Sequence, residues 1–407
     1  MKQFGLLGRK LSHSFSPAVH ALLGDYSYTL WEKEPEEVSA FIRSGSYDGM
    51  NVTIPYKKTA AALCDSLSPR ARMLGSVNTI LRRPDGSLYG DNTDYAGFSR
   101  LLADSGLSFA GEKVLVLGSG GASVTVQAVL KEAGARPVVI SRSGENHYGN
   151  LERHADAAGI VNTTPVGMAP SIGESPLSLA PFPKLKGVFD LIYNPARTAV
   201  LMEAEQRGIP ALGGLKMLVA QAYESALIWG AARPDEQAVE RICRKLFSDR
   251  MNIVLIGMPG CGKSTAARLL EKKLGRPALI ADEEVEKEAG MSIPEIFERF
   301  GEEDFRRRET AVLKRLGSRS GIIIATGGGA VTRPENYPLL HQNGIIVWIR
   351  RDLSELPVKG RPLSQSKGVL RLYEERRAAY EAFSDIQIDS QPQKEATADI
   401  IIEALKL

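Results

Sequence analysis

The 407-residue sequence has little of what marks the more specialised classes of protein. Its three cysteines, Cys64, Cys243 and Cys261, lie far apart with no metal-binding or disulfide spacing, which argues against a disulfide-stabilised domain and fits a reducing compartment. No apolar run approaches the roughly 20 residues that a membrane-spanning helix needs. The net charge of +3 is too small to indicate nucleic acid or a membrane surface as partner. We therefore expect a cytoplasmic protein that binds small molecules.

The chain is long enough for two or three domains of about 150 residues each. Strand-like apolar runs alternate with helical stretches almost throughout, which is the pattern of α/β domains with mostly parallel sheets. We predict an α/β domain over residues 1–102 that is completed by 213–247, a Rossmann domain over 103–212, and a phosphate-loop domain with a parallel sheet over 251–407. Residues 231–250 are polar and charged, and we interpret them as a terminal helix plus a linker.

A phosphate-binding motif occupies residues 257–264. It matches G-x-x-x-x-G-K-[ST], follows an apolar strand and precedes a helical stretch, which is the context that supports the motif. Backbone N–H groups at such a loop surround phosphates, Lys263 is expected to bridge the β- and γ-phosphates, and Ser264 is expected to bind Mg²⁺. The predicted nucleotide-binding residues are Gly257, Gly260, Cys261, Gly262, Lys263, Ser264 and Thr265. The motif indicates ATP or GTP and leaves the acceptor open.

The rest of this region offers candidates for an acceptor site. Asp282 is predicted to end the next strand, where its carboxylate is a candidate base for a hydroxyl group. The arginines of residues 306–308 are spread around a helix, and spacing alone leaves a solvated charged face as an equal alternative. Three glycines, Gly327–Gly329, follow a further strand and would let a backbone lie close against a ligand.

At these residues the region from about 251 to 407 resembles the shikimate kinase family. The matching segments are the phosphate loop, Asp282 to Glu286, Phe305-Arg306-Arg307 with Glu309, Gly327 to Ala330, Arg361-Pro362-Leu363, and Arg376 with Tyr380. The resemblance implies that Asp282 takes a proton from the acceptor hydroxyl. It implies that Arg306 and Arg376 bind the substrate carboxylate, that Gly327, Gly328 and Gly329 lie against the ring, and that Arg361 covers the phosphates. Ile280 departs from the family, which has an aspartate there that helps to hold Mg²⁺.

A second glycine-rich turn suggests a dinucleotide site. Gly118, Gly120, Gly121 and Ala122 lie between a predicted strand and a predicted helix, as in a Rossmann βαβ unit. The next strand ends at Ser141-Arg142 instead of an acidic residue. An arginine at this place suits the 2′-phosphate of NADP, although a surface arginine after a strand is the alternative.

Two loops of the first domain carry a candidate acid–base pair. Lys57 follows the segment Asn51-Val-Thr53-Ile-Pro, and Asp94 ends the polar segment Asp91-Asn-Thr93-Asp. A carboxylate beside an ammonium group orients it and favours its charged form. Taken singly, each residue is more often a surface residue.

Eight motifs in order make residues 1 to about 247 similar to the shikimate dehydrogenase family. The motifs are Ser12–Pro17, Asn51–Lys57, Gly75–Thr79, Asp91–Asp94, Gly118–Ala122, Asn162–Met168, Asp190–Pro195 and Met217–Gln221. The resemblance assigns proton transfer to Lys57 and Asp94, contact with nicotinamide to Gly214 and Met217, and the adenosine 2′-phosphate to Arg142. Ser141, which replaces the more usual asparagine beside Arg142, is a further predicted cofactor-binding residue. It assigns the substrate to Ser14, Ser16, Thr53, Asn78, Thr93, Tyr193 and Gln221. Two departures are Lys216 in place of a common glycine and a short segment between residues 142 and 162.

Together the two resemblances imply a bifunctional enzyme, a monomer or homodimer, that binds neither nucleic acid nor membrane. The first half would reduce 3-dehydroshikimate with NADPH, and the second would phosphorylate shikimate with ATP and Mg²⁺. Two alternatives stay open at this point. Ile280 could mark a weakened kinase, or the second half could be a nucleotide-sensing module that regulates the dehydrogenase.

Overall fold

The computed structural model describes residues 2–11, 14–233, 235–357 and 368–407. The chain folds into two compact units. The first contains Met1–Met168, Glu174–Tyr193 and Val200–Leu246, and the second contains Ala169–Gly173, Asn194–Ala199 and Phe247–Leu407. Both units are α/β with parallel-rich sheets, which confirms the predicted fold class. The finer division of the first unit into substrate and Rossmann domains stays a prediction.

The first sheet of the first unit is mixed, with the strand order β2-β1-β3-β5-β6-β4. Its strands are β1 (Gln3–Gly8), β2 (Ser27–Glu32), β3 (Gly49–Val52), β4 (Ser66–Leu67), β5 (Thr79–Arg82) and β6 (Leu88–Asp91). Its helices are α1 (Ser16–His20), α2 (Pro35–Arg43), α3 (Lys57–Leu63), α4 (Pro69–Leu74) and α5 (Asp94–Asp104). Strand β5 runs antiparallel to both β3 and β6. The ends of β3 and β6 therefore lead into the loops that carry Lys57 and Asp94.

The second sheet of this unit is parallel, with the order β11-β10-β9-β7-β8. Its strands are β7 (Lys113–Leu117), β8 (Arg136–Ile140), β9 (Gly159–Asn162), β10 (Gly187–Asp190) and β11 (Ala211–Leu212), with helices α6 (Gly121–Glu132) and α7 (Ala199–Gln206). A parallel crossover usually contains an α-helix. Here β8 and β9 are joined through a single 3₁₀ turn, Leu151–His154, which accounts for the short segment after Arg142.

Two further helices, α8 (Leu215–Ile228) and α9 (Ala238–Arg250), follow the second sheet. Helix α8 packs tightly on α5, because a Cβ atom at Gly97 would lie 2.7 Å from the carbonyl oxygen of Met217. The predicted linker is wrong, since α9 runs to Arg250 and leaves Met251 alone before the next strand. Val239, Ile242 and Leu246 are buried on one face of α9, so an amphipathic helix explains the charged composition.

The second unit holds a parallel sheet with the order β13-β14-β12-β15-β16. Its strands are β12 (Asn252–Ile256), β13 (Ala278–Ile280), β14 (Ile323–Ala325), β15 (Gly344–Arg350) and β16 (Ile386–Asp389). Its helices are α10 (Lys263–Leu274), α11 (Ala281–Ala289), α12 (Ile293–Gly317), α13 (Asn336–His341), α14 (Val369–Phe383) and α15 (Lys394–Leu405). Strand β12 is buried along its whole length, and the carboxyl ends of β12, β13 and β14 share one edge, where ligands of open α/β sheets bind.

Within the described ranges, no helix is both long enough and apolar enough to cross a bilayer.

Candidate active sites

The predicted acid–base pair is formed in the first unit. Lys57 is the first residue of α3 and Asp94 the first of α5, and the Lys57 ammonium donates to Asp94 Oδ2. The second carboxylate oxygen, Oδ1, accepts from Asn78 Nδ2 at 2.9 Å. The side chains of Lys57 and Asp94 are 22% and 14% exposed, so a ligand can still reach the ammonium group. Such a pair can supply a proton to a developing alkoxide.

Three predicted substrate residues surround this pair. Gln221 Oε1 accepts from Asn78 Nδ2 and from Thr93 Oγ1, each at 3.4 Å. The Thr93 backbone N–H donates to Asn78 Oδ1 at 2.7 Å. All three side chains are buried. They join the residue before strand β5, the start of α5 and helix α8 in one polar cluster.

The other predicted substrate residues lie outside this cluster. Ser14 Oγ accepts from the Ser16 backbone N–H at 3.2 Å at the start of α1, and Ser16 is buried. The Tyr193 ring lies 4.9 Å from that of Phe15. Thr53 is half-buried after β3. Among the described residues no direct hydrogen bond joins the side chains of Ser14, Ser16 or Thr53 to Lys57 or Asp94, so any link between these groups requires a ligand.

The glycine-rich turn after β7 leaves room for a dinucleotide. Gly118 has a φ of +99°, and a Cβ atom on Gly120 or Gly121 would meet no atom within 4 Å. Gly120 caps the amino end of α6, and Ala122 lies in its first turn, so backbone N–H groups point towards the open space. These features fit a pyrophosphate.

The remaining cofactor residues lie on either side of that turn. Arg142 is exposed directly after β8, and the Ser141 hydroxyl donates to the Ser143 carbonyl. The Gly214 N–H donates to Ile192 O at 2.9 Å, and a Cβ atom there would lie 2.1 Å from Leu191 O, so only glycine fits. Met217 is buried one turn into α8.

Lys216, which departs from the family pattern, forms ion pairs with neighbouring helices. Its ammonium group forms ion pairs with Asp104 at 3.2 Å and Glu240 at 3.1 Å. Burial lowers the pKa of Lys216, but the hydrogen bonds and charges of Glu240 and Asp104 together outweigh burial, so the pKa is raised. The lysine therefore fastens α8 to α5 and α9.

In the second unit the phosphate loop has the expected shape. Gly257, Gly260 and Gly262 have φ values of +143°, +87° and +105°, which L side chains rarely adopt. Lys263 is buried and donates to the carbonyl oxygens of Gly257 at 2.8 Å and Met258 at 3.1 Å. A phosphate in the loop would offer the ammonium stronger acceptors.

Residues of the phosphate loop differ in their exposure to solvent. Ser264 and Thr265 are exposed at the start of α10, where the Ser264 hydroxyl is free to meet a metal ion bound to phosphates. Cys261 is buried, and its Sγ atom lies 3.9 Å from Lys263 Nζ.

A carboxylate lies beside the loop. Asp282 was expected at the end of a strand, but β13 ends at Ile280 and Asp282 lies in the first turn of α11. Burial raises the pKa of Asp282, and the charges of Lys263 and Arg306 oppose that rise. Asp282 is therefore close enough to both cations to interact with them electrostatically.

Arg306 is the arginine of its group that turns inward. It is buried and donates through Nη1 to Glu309 Oε2 at 2.7 Å, whereas Arg307 is exposed. Glu309 is fully buried, its Oε1 atom has no partner among the described residues, and burial raises its pKa against the pull of Arg306. The sequence assigned no role to Glu309. Its position three residues after Arg306 on one helix was the available signal.

The three glycines after β14 lie at the centre of this group. A Cβ atom on Gly327 would lie 2.3 Å from Glu309 Oε1 and 2.7 Å from Asp282 Oδ1. One on Gly329 would lie 2.2 Å from Arg306 Nη2. The Gly328 carbonyl oxygen accepts from Arg376 Nη1 at 3.1 Å and from the Tyr380 hydroxyl. Two buried cations, the buried Glu309 carboxylate and the half-buried Asp282 carboxylate thus converge on a side-chain-free backbone, which suits a small acidic polyol.

Two further predictions for this site concern Arg361 and Ile280. Arg361 lies outside the described residues. Ile280 is 7% exposed and belongs to the hydrophobic core, so it supplies no ligand to a metal. Among the described residues no group of three or more His, Cys, Asp or Glu side chains could hold a metal ion. Ser264 and the nucleotide phosphates are the groups that fit Mg²⁺.

Comparison with protein families matches both units. Residues 6–80 match the model of the shikimate dehydrogenase substrate binding domain, and residues 259–406 match the shikimate kinase model. The chain is 35% identical over 268 residues to a shikimate dehydrogenase (NADP(+)) of Clostridium perfringens, which covers 60% of this chain and 98% of that protein. It is 39% identical over 270 residues to the corresponding protein of Oleidesulfovibrio alaskensis, covering 60% of this chain and 96% of that protein.

Solved structures give the same result for the first unit. Shikimate 5-dehydrogenase from Thermus thermophilus, in complex with NADP(H) and shikimate, is 34% identical with a TM-score of 0.55, covering 60% of this chain and 99% of that one. Shikimate dehydrogenase 1 from Peptoclostridium difficile is 36% identical with a TM-score of 0.56, covering 60% and 98%.

Proposed function

Because this chain belongs to the shikimate dehydrogenase family and carries a shikimate kinase domain at residues 259–406, we propose that it catalyses two consecutive reactions. The first is the NADPH-dependent reduction of 3-dehydroshikimate to shikimate. The second is the ATP-dependent phosphorylation of shikimate to shikimate 3-phosphate. The observation that carries the proposal is the presence of two separately built polar sites, one around Lys57 and Asp94 and one around Asp282 and Arg306.

In the reduction, NADPH supplies the hydride when it is bound. Lys57 holds the proton that the carbonyl oxygen receives as it becomes a hydroxyl group. Asp94 keeps the ammonium in place, and Asn78 donates to the other oxygen of Asp94 at 2.9 Å. Thr93 and Gln221 orient the substrate hydroxyls, and Ser14, Ser16, Thr53 and Tyr193 complete the substrate site.

NADP is the cofactor that the relatives and the Rossmann turn favour. Gly120 and Gly121 leave space for the pyrophosphate, and Gly118 and Ala122 lie on either side of them in the same turn. The exposed guanidinium of Arg142, with Ser141, suits the 2′-phosphate. Gly214 and Met217 lie where α8 begins, next to the space expected for nicotinamide.

In the phosphorylation, Asp282 accepts the proton of the substrate hydroxyl as its oxygen attacks the γ-phosphorus of ATP, and ADP leaves. Lys263 stabilises the charge on the transferring phosphoryl group. Arg306 and Arg376 bind the carboxylate of shikimate against the backbone of Gly327–Gly329. Mg²⁺ supplies further charge neutralisation when bound, and Ser264 is the side chain placed to hold it.

Two variants test whether the sites work independently. Lys57→Ala removes the proton donor, so we expect reduction to fall by about 10²–10⁴-fold while phosphorylation of added shikimate continues. Lys263→Ala should have the reverse effect. Both rates are measured on each purified full-length variant by NADPH oxidation and by ADP formation. Loss of both activities in a folded variant would contradict the proposal.

Ile280 favours a second candidate function for the second unit. A buried isoleucine beside the nucleotide site weakens the case for a fast Mg²⁺-dependent kinase. The alternative is a nucleotide-sensing domain that regulates reduction. ATP binding without ADP formation at millimolar Mg²⁺, with a reduction rate that responds to ATP, would favour it. The presence of Asp282 and of the buried Arg306 and Arg376 argues for turnover, because a sensor does not need an acceptor site.

A further inference from the structure

Three buried hydroxyl groups form a closed ring beneath the dehydrogenase site. Ser225 Oγ lies 2.8 Å from Thr79 Oγ1 and 3.0 Å from Thr93 Oγ1, and the two threonine oxygens lie 3.1 Å apart. Thr79 and Ser225 have no exposed surface, and Thr93 is 1% exposed. The ring connects strand β5, the start of α5 and helix α8.

On one side this ring is held by an amide whose orientation is fixed. The Tyr28 hydroxyl donates to Asn51 Oδ1 at 2.8 Å, so the amide nitrogen of Asn51 faces the ring. Asn51 Nδ2 lies 2.9 Å from Ser225 Oγ and 3.1 Å from Thr79 Oγ1. The hydroxyls therefore receive hydrogen bonds from Asn51 and have protons left to donate.

On the other side the ring fixes a second amide, that of Asn78. Its Oδ1 atom accepts from the Thr93 N–H at 2.7 Å and from Thr79 Oγ1 at 3.1 Å. This pattern turns Nδ2 of Asn78 towards Asp94 Oδ1, at 2.9 Å. A reversed Asn78 amide would place its oxygen against the carboxylate and its nitrogen against the Thr93 N–H, which is unfavourable on both sides.

Ser225 is the member of the ring that belongs to α8. Gln221 lies one turn earlier, and its carbonyl oxygen accepts from Ser225 Oγ at 2.9 Å. Residues four apart share a helix face. The Ser225 hydroxyl thus couples the helix that presents the Gln221 side chain to the elements that present Thr93 and Asn78.

We propose that Ser225 is a positioning residue for reduction, which acts through Thr79, Thr93 and Asn78 to hold the substrate-binding groups in register with Asp94. The inference rests on the proposed dehydrogenase function. Ser225 touches neither Lys57 nor Asp94, and its effect is on the geometry of the groups that do. Removal of its hydroxyl leaves Asn51 and the two threonines with one fewer buried partner.

The test compares Ser225→Ala with the wild-type full-length protein. The rate is measured in the reverse of the proposed reduction, the oxidation of shikimate by NADP. In this reaction we expect the KM for shikimate to rise about tenfold and the KM for NADP to stay unchanged, because one or two buried hydrogen bonds are lost on the substrate side only. The unchanged KM for NADP shows that the first unit is folded, and phosphorylation by the same preparation should also be unchanged. Thr79→Val, which keeps the side-chain volume, should have a similar effect, and the double variant should be little worse than either single variant.

Ser68→Ala is the matched control. Ser68 is also a buried serine, it accepts from the Ala71 N–H at 3.0 Å and donates to Asp91, and it contacts no member of the ring. Its loss should lower thermal stability and leave the KM for shikimate unchanged. An unchanged KM in Ser225→Ala, or equal changes in Ser225→Ala and Ser68→Ala, would overturn the inference. A wild-type protein that does not oxidise shikimate with NADP would instead contradict the proposed function.

Discussion

The two polar sites of this chain are built differently. In the dehydrogenase site both oxygens of Asp94 are occupied, one by the Lys57 ammonium and one by Asn78 Nδ2. In the kinase site Asp282 accepts no hydrogen bond from any described residue, and Glu309 Oε1 is buried without a partner there. The first site is held in shape by its own groups, whereas the second keeps acceptors for hydroxyl groups that a substrate brings. A buried acceptor without a partner is costly, so under the proposed phosphorylation a substrate hydroxyl would relieve this cost in the second site.

The largest expected effect distinguishes the role of Asp282 from that of Asp94. Asp282→Asn removes the proposed base, so phosphorylation should fall by about 10²–10⁴-fold while reduction stays at the wild-type rate. Both rates are measured on one preparation, by ADP formation and by NADPH oxidation. A phosphorylation rate within a few-fold of the wild-type rate would show that Asp282 is not the base. The contrast between Asp94 and Asp282 would then have no functional meaning.

A smaller effect is expected at the cofactor end of the dehydrogenase site. Arg142→Ala removes a charged partner for the 2′-phosphate, worth about 1.5–3 kcal/mol, so the KM for NADP should rise by roughly one to two orders of magnitude. The KM for NAD, which has no such phosphate, should change little. Equal changes in the KM for NADP and the KM for NAD would show that Arg142 does not bind the 2′-phosphate. Arg142 would then be a surface residue, which agrees with its exposed position.

Gly329→Ala tests the kinase site without removing a charged group. The new methyl group would lie 2.2 Å from Arg306 Nη2, the movable end of a side chain, so the guanidinium shifts and the backbone stays. We expect the KM for shikimate in phosphorylation to rise about tenfold, since a charge-assisted hydrogen bond is weakened. The KM for ATP and the melting temperature serve as controls. A large loss of stability would show that the backbone moves instead.

The smallest effect is a difference in pH dependence. Burial raises the pKa of Asp282, so the base becomes protonated at a higher pH than an ordinary aspartate, and the acid side of the phosphorylation profile should lie above about 3.9. By linkage, the protonated form stabilises the folded unit below the unfolded pKa, and this contribution is lost as pH rises through the folded pKa. Thermal unfolding at several pH values should therefore show a weaker pH dependence in Asp282→Asn. Identical profiles for the two proteins would contradict the assignment.

The fold and the outline of both sites follow from local sequence. Strand β12 is the apolar strand that the sequence predicts before the phosphate loop, because a short apolar run next to a glycine-rich motif favours a strand over a helix. Lys57 and Asp94 lie far apart in sequence, and residue spacing alone did not decide their pairing. The order of the family motifs predicted it, and the hydrogen bond between them agrees.

Other features depend on tertiary contacts that local sequence does not report. Ser225 lies in an apolar helix and resembles a neutral filler there. Only packing of α8 against β3, β5 and the start of α5 gives its hydroxyl three polar neighbours. The polar and charged composition of residues 231–250 predicts a terminal helix plus a linker, although α9 extends to Arg250. The burial of its apolar face became clear only from the fold.

The most direct test of two consecutive reactions in one chain supplies 3-dehydroshikimate, NADPH and MgATP to the wild-type protein and follows both cofactors at once. We predict that NADPH oxidation begins immediately, that ADP formation follows as shikimate accumulates, and that the two totals become equal. NADPH oxidation without ADP formation, even after shikimate is added at millimolar Mg²⁺, would contradict the account.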